Sequence, residues 1–339
     1  MRMRFGWVLA GLSFVGCGGA PDMEPPAAQE QQVQAQACTP AMAATKVKDF
    51  LSPGDPLPSP YRPIPEWLTN VAGTLYFTSD PYQATAALWR SDGTPVGTVP
   101  VKELPSAGLN YRDFASLTAV GSRVFFTMND PAAGSELWVS DGTAAGTRLV
   151  KDITPGASSS SLSNLTALGD VLTFFRYAGT AKELWRSDGT AAGTYRVVDF
   201  GSGSSLAYPT LRTGSALLFF FQDATQGTRL WRTDGTAAGT WIVKRVDAGT
   251  PLVSETRSLA SGGGVFTLDD SSGTEVWRTD GSAAGTVRVT TSSPGGERPE
   301  EFTRVGTRIF FRAYSGVYGS ALWAVPTHVT CTPLSASAR

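Results

Sequence analysis

The chain has one histidine, three cysteines and a formal net charge of −1 in 339 residues. With His328 alone there is no second histidine for a zinc site. No Gly-x-Ser-x-Gly elbow is present either, so Ser–His and zinc hydrolysis are not expected. The near-even balance of 28 Lys and Arg against 29 Asp and Glu offers no overall bias toward nucleic acid or an anionic membrane face. Helical periodicity is missing from every run of about ten residues, so helices should be few. The apolar run Phe5 to Val15 is too short to cross a bilayer as a mature helix.

That run follows Met1-Arg-Met-Arg4, a basic n-region, and together they read as an export signal over residues 1–16. Phe14-Val-Gly-Cys17 matches a bacterial lipobox with Phe where Leu is usual, which makes Cys17 the expected lipidated residue. An ordinary signal peptide cleaved elsewhere, with Cys17 incidental, is the alternative. Gly18 and Gly19 follow with no aspartate, and by resemblance to bacterial lipoproteins this implies the outer membrane or cell surface. Residues 18–37, rich in Pro, Gln, Ala and Glu, cannot bury enough apolar surface to offset their ordering entropy and read as a disordered tether. Residues 38–332 are ample for one large β domain, and 333–339 read as a disordered tail.

Six tryptophans, Trp89, Trp138, Trp185, Trp231, Trp277 and Trp323, recur about every 46 residues, and five carry the same following phrase. Its full form is Glu183-Leu-Trp-Arg-Ser-Asp-Gly-Thr-Ala-Ala-Gly-Thr194. A period of roughly 40 to 50 residues with several short strands per unit is the mark of a β-propeller. Leu162–Leu168, Val171–Tyr177, Glu183–Ser187 and Tyr195–Val198 read as the four strands of one unit. Dense apolar second strands such as Val124-Phe-Phe126 and Leu217 to Phe221 suit burial on both faces. The expected fold is all-β, a propeller of six four-stranded blades. Its last blade would be closed by an N-terminal strand, because Val47-Lys-Asp-Phe50 aligns with the fourth-strand segment Val150-Lys-Asp-Ile153. Cys38 and Cys331 would meet across that seam as a disulfide, with two unpaired thiols as the alternative.

Asp92, Asp141, Asp188, Asp234 and Asp280 resemble a row of ligands, yet each is followed by Gly and Thr. A short carboxylate before Gly is a turn-forming device. One carboxylate per turn also falls far short of a calcium shell, so no metal or other cofactor is expected. The repeat tryptophans read as inter-blade core rather than sugar platforms. Arg90, Arg186, Arg232 and Arg278 read as inter-blade partners of a repeat Asp. Trp67 and Trp241, outside the repeat position, are better candidates for exposed contacts.

The phrase Glu-Leu-Trp-x-x-Asp-Gly-Thr-x-x-Gly-Thr resembles the repeat of the ELWxxDGT proteins, exported bacterial proteins defined by their repeat and not by an activity. The resemblance covers about residues 44 to 325 and implies no catalytic residue. The expected function is a non-catalytic, lipid-anchored binding or scaffold module. Its partner would be a protein or polysaccharide of the cell envelope, with membrane contact only through the lipid, no nucleic acid and a monomeric state. The alternative is a propeller glycosidase or lyase using carboxylates outside the repeated turn: Asp113, Asp130, Asp170, Asp223, Asp269 and Glu297.

Overall fold

The computed structural model describes residues 46–50, 65–79, 86–104, 114–202, 204–223, 227–247, 252–258, 263–270, 273–289, 300–314 and 320–326. Among them there is no helix, and the chain folds as antiparallel sheets in sequence order. Sheet 1 holds β1 (Pro65–Val71), β2 (Thr74–Ser79), β3 (Ala86–Ser91) and β4 (Val99–Leu104). Sheet 2 holds β5 (Phe114–Val120), β6 (Arg123–Asp130), β7 (Gly134–Ser140) and β8 (Arg148–Lys151). Sheet 3 holds β9 (Leu162–Leu168), β10 (Val171–Ala178), β11 (Ala181–Ser187) and β12 (Tyr195–Ser202). Sheet 4 holds β13 (Ser204–Thr213), β14 (Ala216–Asp223), β15 (Gly227–Thr233) and β16 (Trp241–Asp247). Sheet 5 holds β17 (Leu252–Ser258), β18 (Gly264–Asp270), β19 (Gly273–Thr279) and the two-residue β20 (Val287–Arg288). Sheet 6 has three strands, β21 (Glu300–Val305), β22 (Arg308–Tyr314) and β23 (Ser320–Pro326).

The fold is a β-propeller, as the repeat period implies. First strands neighbour one another from sheet to sheet, β1 beside β5, β5 beside β9 and β13 beside β17, so they form the inner wall. The core is not one mass. Five apolar clusters each join two consecutive sheets, from Val71, Leu88 and Phe126 between sheets 1 and 2 to Val265, Val276, Ile309 and Phe311 between sheets 5 and 6. A second strand apolar on both sides is what such double burial requires, and Val124, Phe125 and Phe126 are each 0% exposed.

The repeat tryptophan pairs in register with a second-strand Phe and stacks on it in five sheets. Phe77–Trp89, Phe126–Trp138, Phe174–Trp185, Phe219–Trp231 and Phe266–Trp277 have centroids 6.0–6.5 Å apart and ring planes within 24°. Trp323 departs from the expected core role. It is 43% exposed, because β23 is the outer strand of a three-stranded sheet and has no fourth strand beside it among the described residues.

Lys46–Phe50 is not assigned to a strand, but it meets sheet 1 as a fourth strand meets the following sheet. Lys48 Nζ donates to the Thr98 carbonyl at 3.0 Å, matching Lys102 to Thr147, Lys151 to Thr194 and Lys244 to Thr286. Phe50 packs edge-on against Phe77 and Trp89 at 5.7 and 5.2 Å. Phe200 of β12 meets Phe219 and Trp231 of sheet 4 in the same way at 5.9 and 5.0 Å. The N-terminal segment thus makes against sheet 1 the contacts that a fourth strand makes with the sheet that follows it. Cys17, Cys38, Cys331 and His328, with the leader, tether and tail, lie outside the described residues.

Candidate functional site

In a four-stranded meander the first and third hairpin turns share one end of the sheet. The second hairpin turn and the connection to the next sheet share the other. The propeller therefore has two unlike faces, one carrying the repeated Asp-Gly-Thr turns and the other carrying connections that differ from sheet to sheet.

On the repeated face each turn is closed by its own side chains. Asp188 Oδ1 accepts from the backbone N–H of Thr190 at 2.8 Å and from its hydroxyl at 2.7 Å. The Thr190 hydroxyl oxygen accepts from Gly193 N–H, and Thr194 donates back to the Thr190 carbonyl. Asp92, Asp141, Asp234 and Asp280 make the same set, with Ser282 standing in for Thr in the last. These bonds hold the Asp92, Asp141 and Asp188 carboxyls below the ordinary aspartate range. One more member was not singled out from the sequence. The residue before each Asp, namely Ser91, Ser140, Ser187, Thr233 or Thr279, bonds hydroxyl to hydroxyl with the closing Thr at 2.7–2.8 Å. Its constancy as a hydroxyl residue was the available signal. The carboxylates are consumed by the turns, and among the described residues no group of three His, Cys, Asp or Glu is gathered to hold a metal.

Two of the repeat arginines reach the next sheet, and there the partner is a glycine carbonyl and not the Asp carboxylate. Arg90 donates to Gly142 O at 3.3 Å and Arg186 to Gly235 O at 3.4 Å. In sheet 2 the Arg position is Val139, and its cross-strand partner Arg148 makes the equivalent bond, to Gly189 O at 2.8 Å. The arginine moves to the neighbouring strand and the inter-blade bond is kept.

Near the variable face the inner wall is bulged at one recurring place. Trp67, Ser116 and Asn164 have φ of 57°, 59° and 52°, and each falls where the register of its first strand shifts. A threonine two residues on clamps each bulge: Thr69 bonds the Trp67 carbonyl, Thr118 that of Ser116 and Thr166 that of Asn164. Thr69 and Thr118 also donate across to Leu117 and Leu165 of the next first strand. Left-handed backbone at a non-glycine residue costs on the order of 1–3 kcal/mol and persists only where the surroundings over-determine it. In β1 the bulge holds Trp67 41% exposed and Leu68 63% exposed on the inner strand, toward the variable end.

Three carboxylates share the position two before the repeat tryptophan and meet different surroundings. Glu183 takes Arg176, Arg196 and the Trp185 indole; burial raises its carboxyl, but those bonds outweigh burial and hold it low. Glu275 takes Arg288 and the Trp277 indole. Glu136, 0% exposed, instead accepts from Ile153 N, Thr154 N and the Ser160 hydroxyl, pinning residues 152–161 between sheets 2 and 3. Burial pushes it above its ordinary value of 4.5, against the pull of those three donors. A carboxyl raised in the folded state favours folding while protonated, and that contribution is lost as pH rises through its folded value. The stability of Glu136→Gln relative to wild type should therefore climb as pH rises from about 4 and level off once the carboxyl is ionised. A difference that does not change with pH would show that folding leaves the Glu136 carboxyl titrating as it does in the unfolded chain. Glu136→Ala strands three donors and should cost roughly 2–3 kcal/mol near pH 4, the loss shrinking as the pH rises through the folded value.

Among the described residues the candidate carboxylates are not gathered as a set. Asp130 ends β6 on the variable face, where Oδ1 closes its own turn by accepting from Ala132 and Ala133 N–H at 2.8 and 3.1 Å. Asp170 lies in the β9–β10 turn, on the opposite face. Asp223 ends β14 at the register position of Asp130, each opposite the glycine that begins the next strand. In sheet 5 that position is Asp270, the neighbour of the expected Asp269. Asp113 and Glu297 lie outside the described residues. Trp241 is 43% exposed, as its place outside the repeat implied.

No family model and no curated protein matches the chain. Solved structures do match. Puromycin hydrolase is 18% identical with a TM-score of 0.45, over 80% of this chain and 46% of that one. Oligopeptidase B from Leishmania major is 11% identical with a TM-score of 0.47, over 78% and 39%. The propeller domain of the Trilobed protease from Pyrococcus furiosus is 10% identical with a TM-score of 0.32, over 82% and 99%. This chain thus spans less than half the length of the puromycin hydrolase and oligopeptidase B chains. At these identities the likeness shows the fold alone, and no catalytic residue transfers. The matches do correct the expectation of a non-catalytic binding or scaffold lipoprotein. Puromycin hydrolase, acylaminoacyl peptidase and oligopeptidase B are named as a hydrolase and peptidases and none as a binding or scaffold module, which is said of those proteins alone.

Proposed function

We propose that this chain is an enzyme-type propeller that takes a polysaccharide on its variable face, with Trp67 as a stacking surface and connection carboxylates for acid–base chemistry. The observation that carries the proposal is Trp67 itself, a large aromatic side chain left 41% exposed on the inner wall by a strained backbone. Ser116 and Asn164 share the bulge, so what is particular to β1 is the exposed aromatic side chain it carries there. An aromatic ring with an open face suits the C–H face of a sugar, and cleavage of a glycosidic bond needs little more than two suitably spaced carboxyl groups. Asp113 and Glu297 belong to connections whose described flanks, Leu104 and Phe114 for one and Val289 and Glu300 for the other, include strand ends at this face. Export and a lipid anchor at Cys17 belong to the same proposal and would set the enzyme at the outer membrane or cell surface.

The test is incubation with a panel of envelope and plant polysaccharides, reading new reducing ends for hydrolysis and ultraviolet absorbance for the unsaturated ends of a lyase. Product is expected from at least one polymer. Trp67→Ala should lower kcat/KM about tenfold or more with the melting temperature held, and Asp113→Asn or Glu297→Gln should abolish turnover. Cleavage of peptides with no action on any polysaccharide would overturn the substrate class. No product from either would overturn the enzyme.

A further inference from the structure

We infer a second carbohydrate site on the outer wall, where Tyr195 with Arg186 and Trp241 with Arg232 form two like platforms on neighbouring sheets that dock an uncharged polysaccharide chain. Tyr195 and Trp241 each open a fourth strand directly after a repeated turn, and they are 42% and 43% exposed. They hold the same register position, Tyr195 opposite Arg186 and Trp241 opposite Arg232. In the other four-stranded sheets that position is Val99, Arg148 or Val287, so the aromatic pair is confined to sheets 3 and 4.

Each ring is backed by its cross-strand guanidinium. Arg232 Cζ is 4.5 Å from the Trp241 ring centroid and Arg186 Cζ is 5.6 Å from that of Tyr195. Arg186 also donates to Gly235 O in the turn that leads to Trp241, so one fixed side chain links the two platforms. A ring held from behind loses little freedom when a ligand covers its front, which is the condition for a preorganised contact.

Charge narrows the ligand. Arg186 and Arg232 are each accompanied by the Asp of their own turn, Asp188 and Asp234, and Arg123 of sheet 2 also reaches the Asp188 turn, so three positive groups stand beside two negative ones. A nucleic acid or an acidic polymer would find at most one unbalanced positive charge there, too little for binding driven by counterion release. An uncharged polymer needs none, since aromatic faces take its C–H surfaces and guanidinium N–H groups take its hydroxyls. Two platforms one blade apart also favour a ligand that repeats, because binding at one raises the local concentration of the next unit at the other.

This site stands on residues other than those of the variable face, and the two proposals fail separately. The experiment is affinity electrophoresis of the full chain through gels containing dextran, xylan, a mixed-linkage β-glucan or a neutral mannan. Saturable retardation by at least one polymer is expected, unchanged between about 50 and 500 mM NaCl. Tyr195→Ala and Trp241→Ala should each weaken binding about five- to tenfold, with melting unaltered because both side chains are exposed, and the double variant should lose retardation. Trp67→Ala should leave outer-wall binding intact. Absence of retardation in every polymer, binding indifferent to both aromatic substitutions, or binding that disappears with salt would each overturn the site.

Discussion

Gly193→Ala should unfold the protein at a markedly lower temperature than wild type, and Asp188→Ala combined with it should be no worse than Asp188→Ala alone. The second glycine of each repeated turn is not required by its backbone angles, unlike the first, where Gly189 has φ of 88°. It is required by space. A Cβ at Gly193 would overlap the Asp188 carboxylate, and the same holds for Gly97, Gly146, Gly239 and Gly285 against Asp92, Asp141, Asp234 and Asp280. The carboxylate cannot withdraw without giving up the N–H and hydroxyl of Thr190. Overpacking and loss of a capping acceptor each cost about 1–2 kcal/mol, so roughly 3 kcal/mol is expected, or about 6–10 °C for a domain of this size. In the double variant the overlap is gone, so the two costs should not add. If they add fully, the glycine is kept for some reason other than the carboxylate. Gly121→Ala is the comparison that isolates backbone strain, since φ there is 60° and nothing lies within 4 Å of an added Cβ.

The contrast between these glycines shows what could be read from the chain and what could not. Sheet class, strand order and the turn role of the five aspartates follow from a repeated phrase, because near-identical local sequences meet near-identical neighbours in every sheet. The glycine-to-carboxylate contact and the hydroxyl pairs, such as Ser187 with Thr194, lie within that phrase too, but they depend on how the turn closes in three dimensions. The bulges at Trp67, Ser116 and Asn164 were not legible. Their residue types have nothing in common, and the strain is imposed by ladder register and by threonines bonding from one first strand to the next. Glu136 and Glu183 were indistinguishable for a related reason. Both precede Leu-Trp, and only the folded chain shows that one meets two arginines and the other a loop of neutral donors. Features that repeat can be read from one copy. Those that distinguish one blade from another, among which a functional site must fall, come from long-range partners that the phrase does not encode.

Phe50→Ala should destabilise the protein as much as Phe200→Ala, although Phe50 belongs to a five-residue described segment outside any assigned strand and Phe200 to an eight-residue one. Each ring meets a second-strand Phe and a repeat Trp of one sheet in nearly the same edge-on geometry. Both rings are half-buried, so truncation should cost less than the roughly 3–5 kcal/mol of a fully buried Phe. In the four-stranded sheets the residue opposite the Leu before the repeat Trp is Lys102 for Leu88, Lys151 for Leu137, Val198 for Leu184 and Lys244 for Leu230. If the same register held for the N-terminal segment in a closed ring, Lys48 would face Leu322, which is 76% exposed on β23, a strand paired only with β22 among the described residues. Lys48→Cys with Leu322→Cys should therefore form an intramolecular bridge on mild oxidation, identifiable by peptide mapping beside the native cysteines, whereas Lys48→Cys with Val325→Cys should not. A bridge that forms only between two molecules would mean the segment closes a neighbour's ring. A Phe50→Ala variant that melts within about 1 °C of wild type would mean the N-terminal segment rests on sheet 1 without holding the ring together.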